Sequence, residues 1–149
     1  MRILVATDGS RGGTAALRFA ARFALRDPST ALTVVTIGTD GAHPHTARAA
    51  DHGNQEPHPA AATLAAAART LRRLKVRAKI EIAQPRRQET IPEAIAREAD
   101  RRKADLVIVG SEGRDTLREW VVGGTALRLI YLARRPVTVV RPARLRRRG

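Results

Sequence analysis

The sequence contains no cysteine and no long apolar run. Without cysteine, the chain has neither a disulfide framework nor a thiolate metal site. No stretch approaches the roughly 20 apolar residues that a membrane-spanning helix needs. The chain enters its first apolar segment at Ile3 without the basic segment and apolar core of a signal peptide. These absences predict a cytoplasmic protein with no membrane span.

Aromatic and acidic residues are both scarce. Phe19, Phe23, Trp120 and Tyr131 are the whole aromatic set, too few for a base-stacking platform on single-stranded nucleic acid. Lysine and arginine number 28 against 14 acids, a formal net charge of +14, which attracts polyanions in general. A coding preference for arginine and alanine accounts for most of this excess. Nucleic acid binding through the basic C-terminal tail is therefore a minor alternative.

Strand-like and helix-like segments alternate along the 149 residues. This order predicts parallel pairing through right-handed crossovers, and hence an α/β fold. We expect a single-domain, open, Rossmann-like sheet of five parallel strands in the order 3-2-1-4-5, with helices on both faces. The strict alternation of residues 76–82 and the proline that opens residues 136–140 place those two strands at the edges. The domain is predicted to span residues 1–142, followed by a basic, disordered tail at 143–149.

Two other segments carry expectations. In the fourth predicted helix, Leu127, Ile130 and Tyr131 stand at helical spacing, so we expect Tyr131 in the core. The segment 38–59 contains all four histidines and no apolar period, and we expect it to be mobile. Its histidines lack an ordered carboxylate partner. No metal site is predicted there or elsewhere.

Glycines follow the fourth predicted strand, in the sequence ADLVIVGSEGRDTLREWVVGGT of residues 104–125. Gly110 and Gly113 come directly after the buried apolar run, and Gly123 and Gly124 precede a further predicted helix. Glycines let backbone amides approach a ligand closely, and the N-terminus of a helix carries a partial positive charge. The pattern predicts a phosphate-binding cradle at the carboxyl edge of the sheet.

Asp8 follows the first predicted strand and reaches the same edge of the sheet. It either holds a ribose hydroxyl or a phosphate-bound metal, or it caps the turn that follows the strand. Arg114 either neutralises a phosphate or is a solvated loop residue. The spacing alone leaves both pairs of alternatives open.

The glycine spacing G-x2-G-x9-G, formed by Gly110, Gly113 and Gly123, resembles that of the nucleotide-binding members of the universal stress protein family. Residues 3–10, ILVATDGS, and residues 136–141, PVTVVR, are similar to the first and last strands of that family. The resemblance covers most of the chain and fails at 38–59 and 84–90. The sequence also differs from the family pattern at Gly124, because those members carry Ser or Thr directly after the third glycine.

The resemblance implies an ATP-binding stress or signalling module that binds ATP with or without Mg²⁺. It also implies a homodimer paired through the strand at 136–140, whose apolar edge nothing else in the chain covers. The adenine would lie beside Ala6 and Ile37, and the ribose beside Asp8. The complete set implied to bind the nucleotide is Ala6, Thr7, Asp8, Ile37, Val109, Gly110, Gly113, Arg114, Gly123, Gly124 and Thr125.

The motifs of common nucleotide enzymes are absent from the sequence. It has no G-x4-G-K-[ST] loop, no G-x-G-x-x-G after a strand and no G-x-S-x-G nucleophile elbow. No lysine or histidine stands near the cradle to act as a general acid or base, so we expect binding and no enzyme activity. Three functions remain open: an ATP-binding module, a nucleotide-independent interaction protein of the same fold, and a nucleic-acid-associated protein.

Overall fold

The computed structural model describes residues 1–38, 59–112 and 122–143. The predictions for Gly113, Arg114, the histidine-containing segment and the tail after Ala143 lie outside these residues. In chain order, the described elements are β1 (Arg2–Ala6), α1 (Arg11–Arg26), β2 (Ala31–Ile37), α2 (Pro59–Arg73), β3 (Lys79–Ala83), α3 (Ile91–Arg101), β4 (Leu106–Gly110), α4 (Gly124–Leu132) and β5 (Val137–Val140).

The five strands form one parallel sheet in the order β3-β2-β1-β4-β5. The predicted strand order 3-2-1-4-5 is therefore confirmed. β1 lies at the centre, where Val5 is aligned with Val34 of β2 and Ile108 of β4. All three side chains are fully buried. The apolar run that begins the chain is thus the middle of the core, as continuous apolar strands of parallel sheets are.

Alternate residues of β1 face two separate cores. Ile3 and Val5 pack with the apolar residues of α1 and α2, whereas Leu4 and Ala6 pack with those of α3 and α4. The period of two along a strand explains this division, because successive side chains point to opposite faces. The helices consequently form two layers, one on each face of the sheet.

β3 begins later than the alternation of residues 76–82 predicted. Its pairing with β2 starts at Lys79, opposite Thr33. The backbone N–H of Val76 instead donates to the carbonyl of Leu71 and closes the end of α2. Val76 still packs against the core. The alternation therefore predicted correctly that Val76, Ala78 and Ile80 pack against the core, but it failed at Ile82, which is exposed, and it did not predict where the hydrogen-bonded ladder starts.

The expectation that Tyr131 lies in the core is wrong. Tyr131 is 83% exposed, and Leu127 and Ile130 are about half exposed at 48% and 49%. The residues of α4 that are buried are Ala126 and Leu129. Because α4 is apolar nearly all round, helical spacing did not distinguish its inner face from its outer face. An apolar face of α4 is left at the surface.

A network of ion pairs ties α3 to the edge strand β3. Glu98 is only 3% exposed. Its carboxylate accepts hydrogen bonds from Arg101 at 2.7 Å and from Arg102 at 3.1 Å. Arg102 also bonds to Glu81 of β3. The buried carboxylate is thus paired on two sides, which offsets the cost of removing its charge from water.

Candidate functional site

A cleft of about 430 Å³ opens at the carboxyl edge of the sheet, where the chain diverges from β1 toward α1 and from β4 toward α4. Its volume lies within the roughly 300–1,000 Å³ typical of small-ligand pockets. This is also the position at which open α/β sheets bind ligands, since the strand order reverses there. The cleft is lined by Ala6, Thr7, Asp8, Gly13, Thr36, Ile37, Pro59, Ala60, Thr63, Ile91, Ile95, Val109, Gly110, Glu112, Gly123, Gly124, Thr125 and Ala126.

The turn after β1 holds Asp8 in place. Asp8 Oδ1 accepts a hydrogen bond from the Ser10 backbone N–H at 2.9 Å, and Thr7 Oγ1 accepts one from the Gly9 N–H at 3.2 Å. Gly9 has a φ of 79°, a backbone conformation that glycine adopts without strain. Asp8 therefore stabilises the turn, as one of its two alternatives predicted. It also lines the cleft.

Ser10 connects the start of α1 to the loop after β4. Its hydroxyl accepts from the Gly13 N–H at 3.0 Å, as the N-cap of α1, and donates to the carbonyl of Glu112 at 3.1 Å. N-cap serines commonly stabilise a helix by about 1 kcal/mol. Here one hydroxyl joins two sides of the cleft, so the cap also sets the distance between them.

Three glycines allow the first turn of α1 to contact the end of β4, the residues after β4 and the turn after β1. A Cβ on Gly110 would lie 2.3 Å from the backbone carbon of Gly12, and a Cβ on Gly12 would lie 2.3 Å from the carbonyl oxygen of Glu112. A Cβ on Gly13 would lie 2.6 Å from Thr7 Oγ1. Gly110 is therefore required for packing, a role that the ligand-access argument did not predict. The sequence analysis did not predict a role for Gly12 and Gly13, although adjacent glycines in the first turn of a helix indicate that another segment of backbone packs closely against it.

The N-terminus of α4 forms another side of the cleft. Gly123 caps the helix, and its N–H donates to the carbonyl of Ser111 at 2.7 Å. Among the described residues, no side chain caps the helix, and a Cβ on Gly124 would meet no atom within 4 Å. The first N–H groups of a helix lack intrahelical partners and carry a partial positive charge. This part of the cleft is suited to an anion.

Part of the cleft lining is apolar. Ile37 and Val109 lie there as the sequence suggested, but Ile91 and Ile95 of α3 were not predicted as site residues. Both belong to the regular apolar stripe of that helix, which sequence analysis assigns to the core. Thr63 of α2 was missed as well. Nothing in its local sequence distinguishes it from other helical threonines.

The described lining contains two charged side chains, Asp8 and Glu112. The structure brings together nine of the eleven residues predicted for the site, all except Gly113 and Arg114, which lie outside the described residues. Within the described part of the chain, no group of three His, Cys, Asp or Glu residues is placed to hold a metal ion. The described part of the lining therefore offers a phosphate backbone amides and no cationic side chain.

The sequence model of the universal stress protein family matches residues 1–141. The chain belongs to the universal stress protein family. The five-stranded parallel order and the helices on both faces agree with solved structures of that family. A comparison with curated proteins finds no match. No helix in the described part is long and apolar enough to cross a membrane.

Three solved structures illustrate the similarity to the family. The universal stress protein of Archaeoglobus fulgidus in complex with dAMP is 26% identical, with a TM-score of 0.63, and the match covers 93% of this chain and 96% of that one. UspA of Lactobacillus plantarum is 25% identical, with a TM-score of 0.69 and coverages of 95% and 97%. An Arabidopsis thaliana family protein with AMP bound is 13% identical, with a TM-score of 0.64 and coverages of 96% and 92%. At that identity, the Arabidopsis structure concerns the fold alone.

Proposed function

We propose that this protein binds ATP in the cleft between β1 and β4 and acts as a stress-response or signalling module. The observation that carries the proposal is the N-terminus of α4, whose first turn lines the cleft from Gly124 onward, while the N–H of Gly123 is already used by the Ser111 carbonyl. A helix N-terminus of this kind favours phosphate through its free N–H groups and its dipole.

The apolar and polar sides of the cleft match the parts of a nucleotide. Ala6, Ile37 and Val109 line the apolar side and would contact the adenine. Asp8, with Thr7 before it, would accept a hydrogen bond from the ribose. Mg²⁺ would be held mainly by the phosphates, since the described residues offer no cluster of metal ligands. The phosphates themselves would lie against Gly110, Gly113, Arg114, Gly123, Gly124 and Thr125.

Support also comes from the Archaeoglobus protein, which was solved in complex with dAMP. An adenine nucleotide is thus the ligand class of a relative at 26% identity. The preference for a triphosphate rests on the resemblance, and the end of β4 and the start of α4 lie on the same cleft. The N–H groups of Ser111 and Gly123 already donate to carbonyls, so the donors to phosphate would be the first N–H groups of α4 from Gly124 onward.

We propose binding without turnover. The described lining contains no lysine and no histidine, and one oxygen of Asp8 already accepts from the Ser10 N–H. A bound nucleotide would contact β1, β4 and α4 together. It would therefore stabilise the arrangement in which these elements are close, by an amount set by its concentration and affinity.

We also propose a homodimer formed through β5. All four residues of β5 are half-buried, and the strand is an edge of the sheet. α4 packs against β5 and exposes Leu127, Ile130 and Tyr131. An open strand edge beside an exposed apolar helix face is a suitable surface for a second copy of the chain, since a two-fold contact closes on itself.

Calorimetric titration with ATP and with adenosine tests the proposed binding. Gly124→Asp adds a carboxylate at a position where a Cβ meets no described atom within 4 Å, and an acid at a helix N-terminus is itself favourable. Its charge would repel phosphate and lower ATP affinity at least about tenfold, equivalent to about 1.4 kcal/mol. Gly124→Asn has the same shape without the charge and is the matched control.

The expected pattern is a loss of ATP affinity in Gly124→Asp, near-normal ATP affinity in Gly124→Asn, and equal adenosine affinity in both. Equal ATP affinity in the two variants would mean that the phosphates lie elsewhere. If the wild type binds no ATP, the proposal is wrong, and the nucleotide-independent interaction protein becomes the better hypothesis.

A further inference from the structure

The helices of one layer carry charge of a single sign. α1 and α2 together contain seven arginines and no acidic residue. All seven are exposed to solvent. We call this surface the arginine face, and it consists of Arg11, Arg18, Arg22, Arg26, Arg69, Arg72 and Arg73.

The layer on the other side of the sheet is different. α3 and α4 contain three acidic residues and three arginines. Arg97 pairs with Glu89 at 2.8 Å, and Arg101 pairs with Glu98 at 2.7 Å. Within the described part of the chain, no ion pair involves any arginine of the arginine face. The two layers differ mainly in acidic residues, which the arginine face lacks, and a coding preference for arginine does not explain that lack.

Helix stability does not explain the arrangement either. Arg18, Arg22 and Arg26 follow one another at four-residue intervals, a spacing at which like charges repel across one helical turn. Arginines in the last turn of a helix are favoured by its dipole, which accounts for Arg26 and for the end of α2. It does not account for Arg18, in mid-helix, or for Arg11, which begins α1, where a positive charge is unfavourable.

The arginine face is largely remote from the cleft. α1 and α2 both follow parallel strands, so they run in the same direction and end at the amino edge of the sheet, opposite the cleft. The C-terminal end of the described chain also reaches this layer, because Arg11 donates to the carbonyl of Ala143 at 3.4 Å. Four more arginines follow Ala143 in the sequence.

We propose that the arginine face binds the phosphate backbone of duplex DNA without sequence preference. The guanidinium group forms paired hydrogen bonds to phosphate, and an uncompensated row of such groups releases counterions on binding. From Arg11 to Arg26 the row extends about 22 Å at the helical rise of 1.5 Å per residue, long enough to contact several phosphates.

Other polyanions fit this surface less well. Single strands bind largely by stacking on aromatic side chains. The aromatic residues of α1, Phe19 and Phe23, pack edge to face against each other at 5.5 Å and join the core. Helices that lie on membranes insert their apolar side. In α1 that side, including Ala16, Leu17 and Ala20, is buried against the sheet.

Fluorescence anisotropy with a labelled 20-base-pair duplex tests the proposal. The variant Arg18→Gln, Arg22→Gln, Arg69→Gln, Arg73→Gln removes four charges from the arginine face. The control Arg86→Gln, Arg87→Gln, Lys103→Gln, Arg128→Gln removes four exposed charges elsewhere. Both variants have the same net charge, and thermal unfolding checks that both are folded. Anionic vesicles with the same charge density serve as a second probe.

Each phosphate contact contributes about −0.9 to the slope of log affinity against log salt concentration. For the wild type we expect duplex binding that weakens steeply between 50 and 200 mM salt. The slope for the arginine-face variant should be smaller by about 3 to 4 units, so that its affinity falls roughly a hundredfold less than that of the wild type between 50 and 200 mM salt. The control variant should keep the wild-type slope. Equal losses in both variants, no wild-type binding at 50 mM salt, or binding to vesicles without binding to the duplex would each overturn the proposal.

Discussion

Gly110 and Gly12 lie in direct backbone contact, so that a Cβ on Gly110 would be 2.3 Å from the backbone carbon of Gly12. This contact joins the last residue of β4 to the first turn of α1. No side chain rotation relieves such a clash, because both partners are main chain. The spacing of the two central connections of the sheet therefore depends on the absence of one methyl group.

The first prediction compares two identical substitutions on the same cleft. Gly110→Ala should lower the free energy of unfolding by about 2 kcal/mol, since α1 must shift to admit the methyl group. Gly124→Ala, where a Cβ meets no described atom within 4 Å, should raise the free energy of unfolding by roughly 0.5 kcal/mol by restricting the unfolded chain. Urea unfolding of both variants measures the difference. Similar stability in the two variants would contradict the contact.

The second prediction concerns a hydroxyl directly after the third glycine of the cradle, where this sequence has Gly124. If the proposed ATP site is correct, Gly124→Ser supplies a hydroxyl in open space beside the phosphates. ATP should then bind about fivefold more tightly to Gly124→Ser than to Gly124→Ala, the equivalent of one net hydrogen bond of about 1 kcal/mol. Calorimetry on the two variants isolates the hydroxyl, because both gain the same Cβ. Equal affinities would place the phosphates out of its reach.

The third prediction concerns pH. Burial alone would raise the pKa of the Glu98 carboxyl, but hydrogen bonds and charges from Arg101 and Arg102 outweigh burial and lower the pKa below its ordinary value of 4.5. A carboxyl with a lowered pKa in the folded state stabilises the protein above pH 4.5, and that contribution is lost as the pH falls through the folded-state pKa. The free energy of unfolding should therefore begin to fall below about pH 4.5, as Glu98 takes up a proton.

Glu98→Gln should remove this dependence and lower the free energy of unfolding at pH 7 by about 2 kcal/mol, because a charged hydrogen-bond acceptor is lost. Asp100→Asn is the control on the same helix. Asp100 pairs with Arg135 at 3.0 Å on the surface, where both side chains are more than a third exposed, so its loss should cost less than about 1 kcal/mol. Urea unfolding at pH 7 and pH 4 measures both. An equal cost for the two variants would show that burial of Glu98 is unimportant.

The fourth prediction tests the proposed dimer. Tyr131→Glu places a charge on an exposed apolar face of α4 and, at 83% exposure, leaves the monomer core unchanged. It should convert the dimer to a monomer in light scattering. Leu25→Glu introduces the same charge at a side chain of α1 that is 54% exposed, on the other layer, and should leave the dimer intact. A wild-type monomer, or a dimer that persists in Tyr131→Glu, would show that this surface is not a dimer interface.

The fold could be predicted from the sequence because its information is local and periodic. The apolar run of β1, the alternation near Ile80 and the proline before β5 each follow from one segment, and together they specify the strand order. The start of β3 could not be predicted, because the competing hydrogen bond of Val76 goes to the end of α2. Such a choice depends on the position of a neighbouring helix.

The site was predicted less completely than the fold. Residues next to strand ends, such as Asp8 and Gly110, could be found because the carboxyl edge of a parallel sheet is a known position for ligands. Ile91 and Thr63 line the cleft from helices that pack over it, and their sequence neighbourhoods are those of ordinary core residues. The prediction for Tyr131 was wrong for a related reason. Helical spacing shows which residues share a face of a helix, but it does not show whether another part of the protein covers that face.

The pairing of β1 with β4 also has a consequence for synthesis of the chain. Ile3 is aligned with Leu106, so one side of the central strand finds its partner only after about a hundred further residues have been added. At roughly 5–20 residues per second, this interval is on the order of 5 to 20 s on the ribosome. During that time β1 can pair with β2 but has an open edge on the β4 side. The cleft is thus completed late in translation, and until then the unpaired edge of β1 is a site for aggregation or chaperone binding.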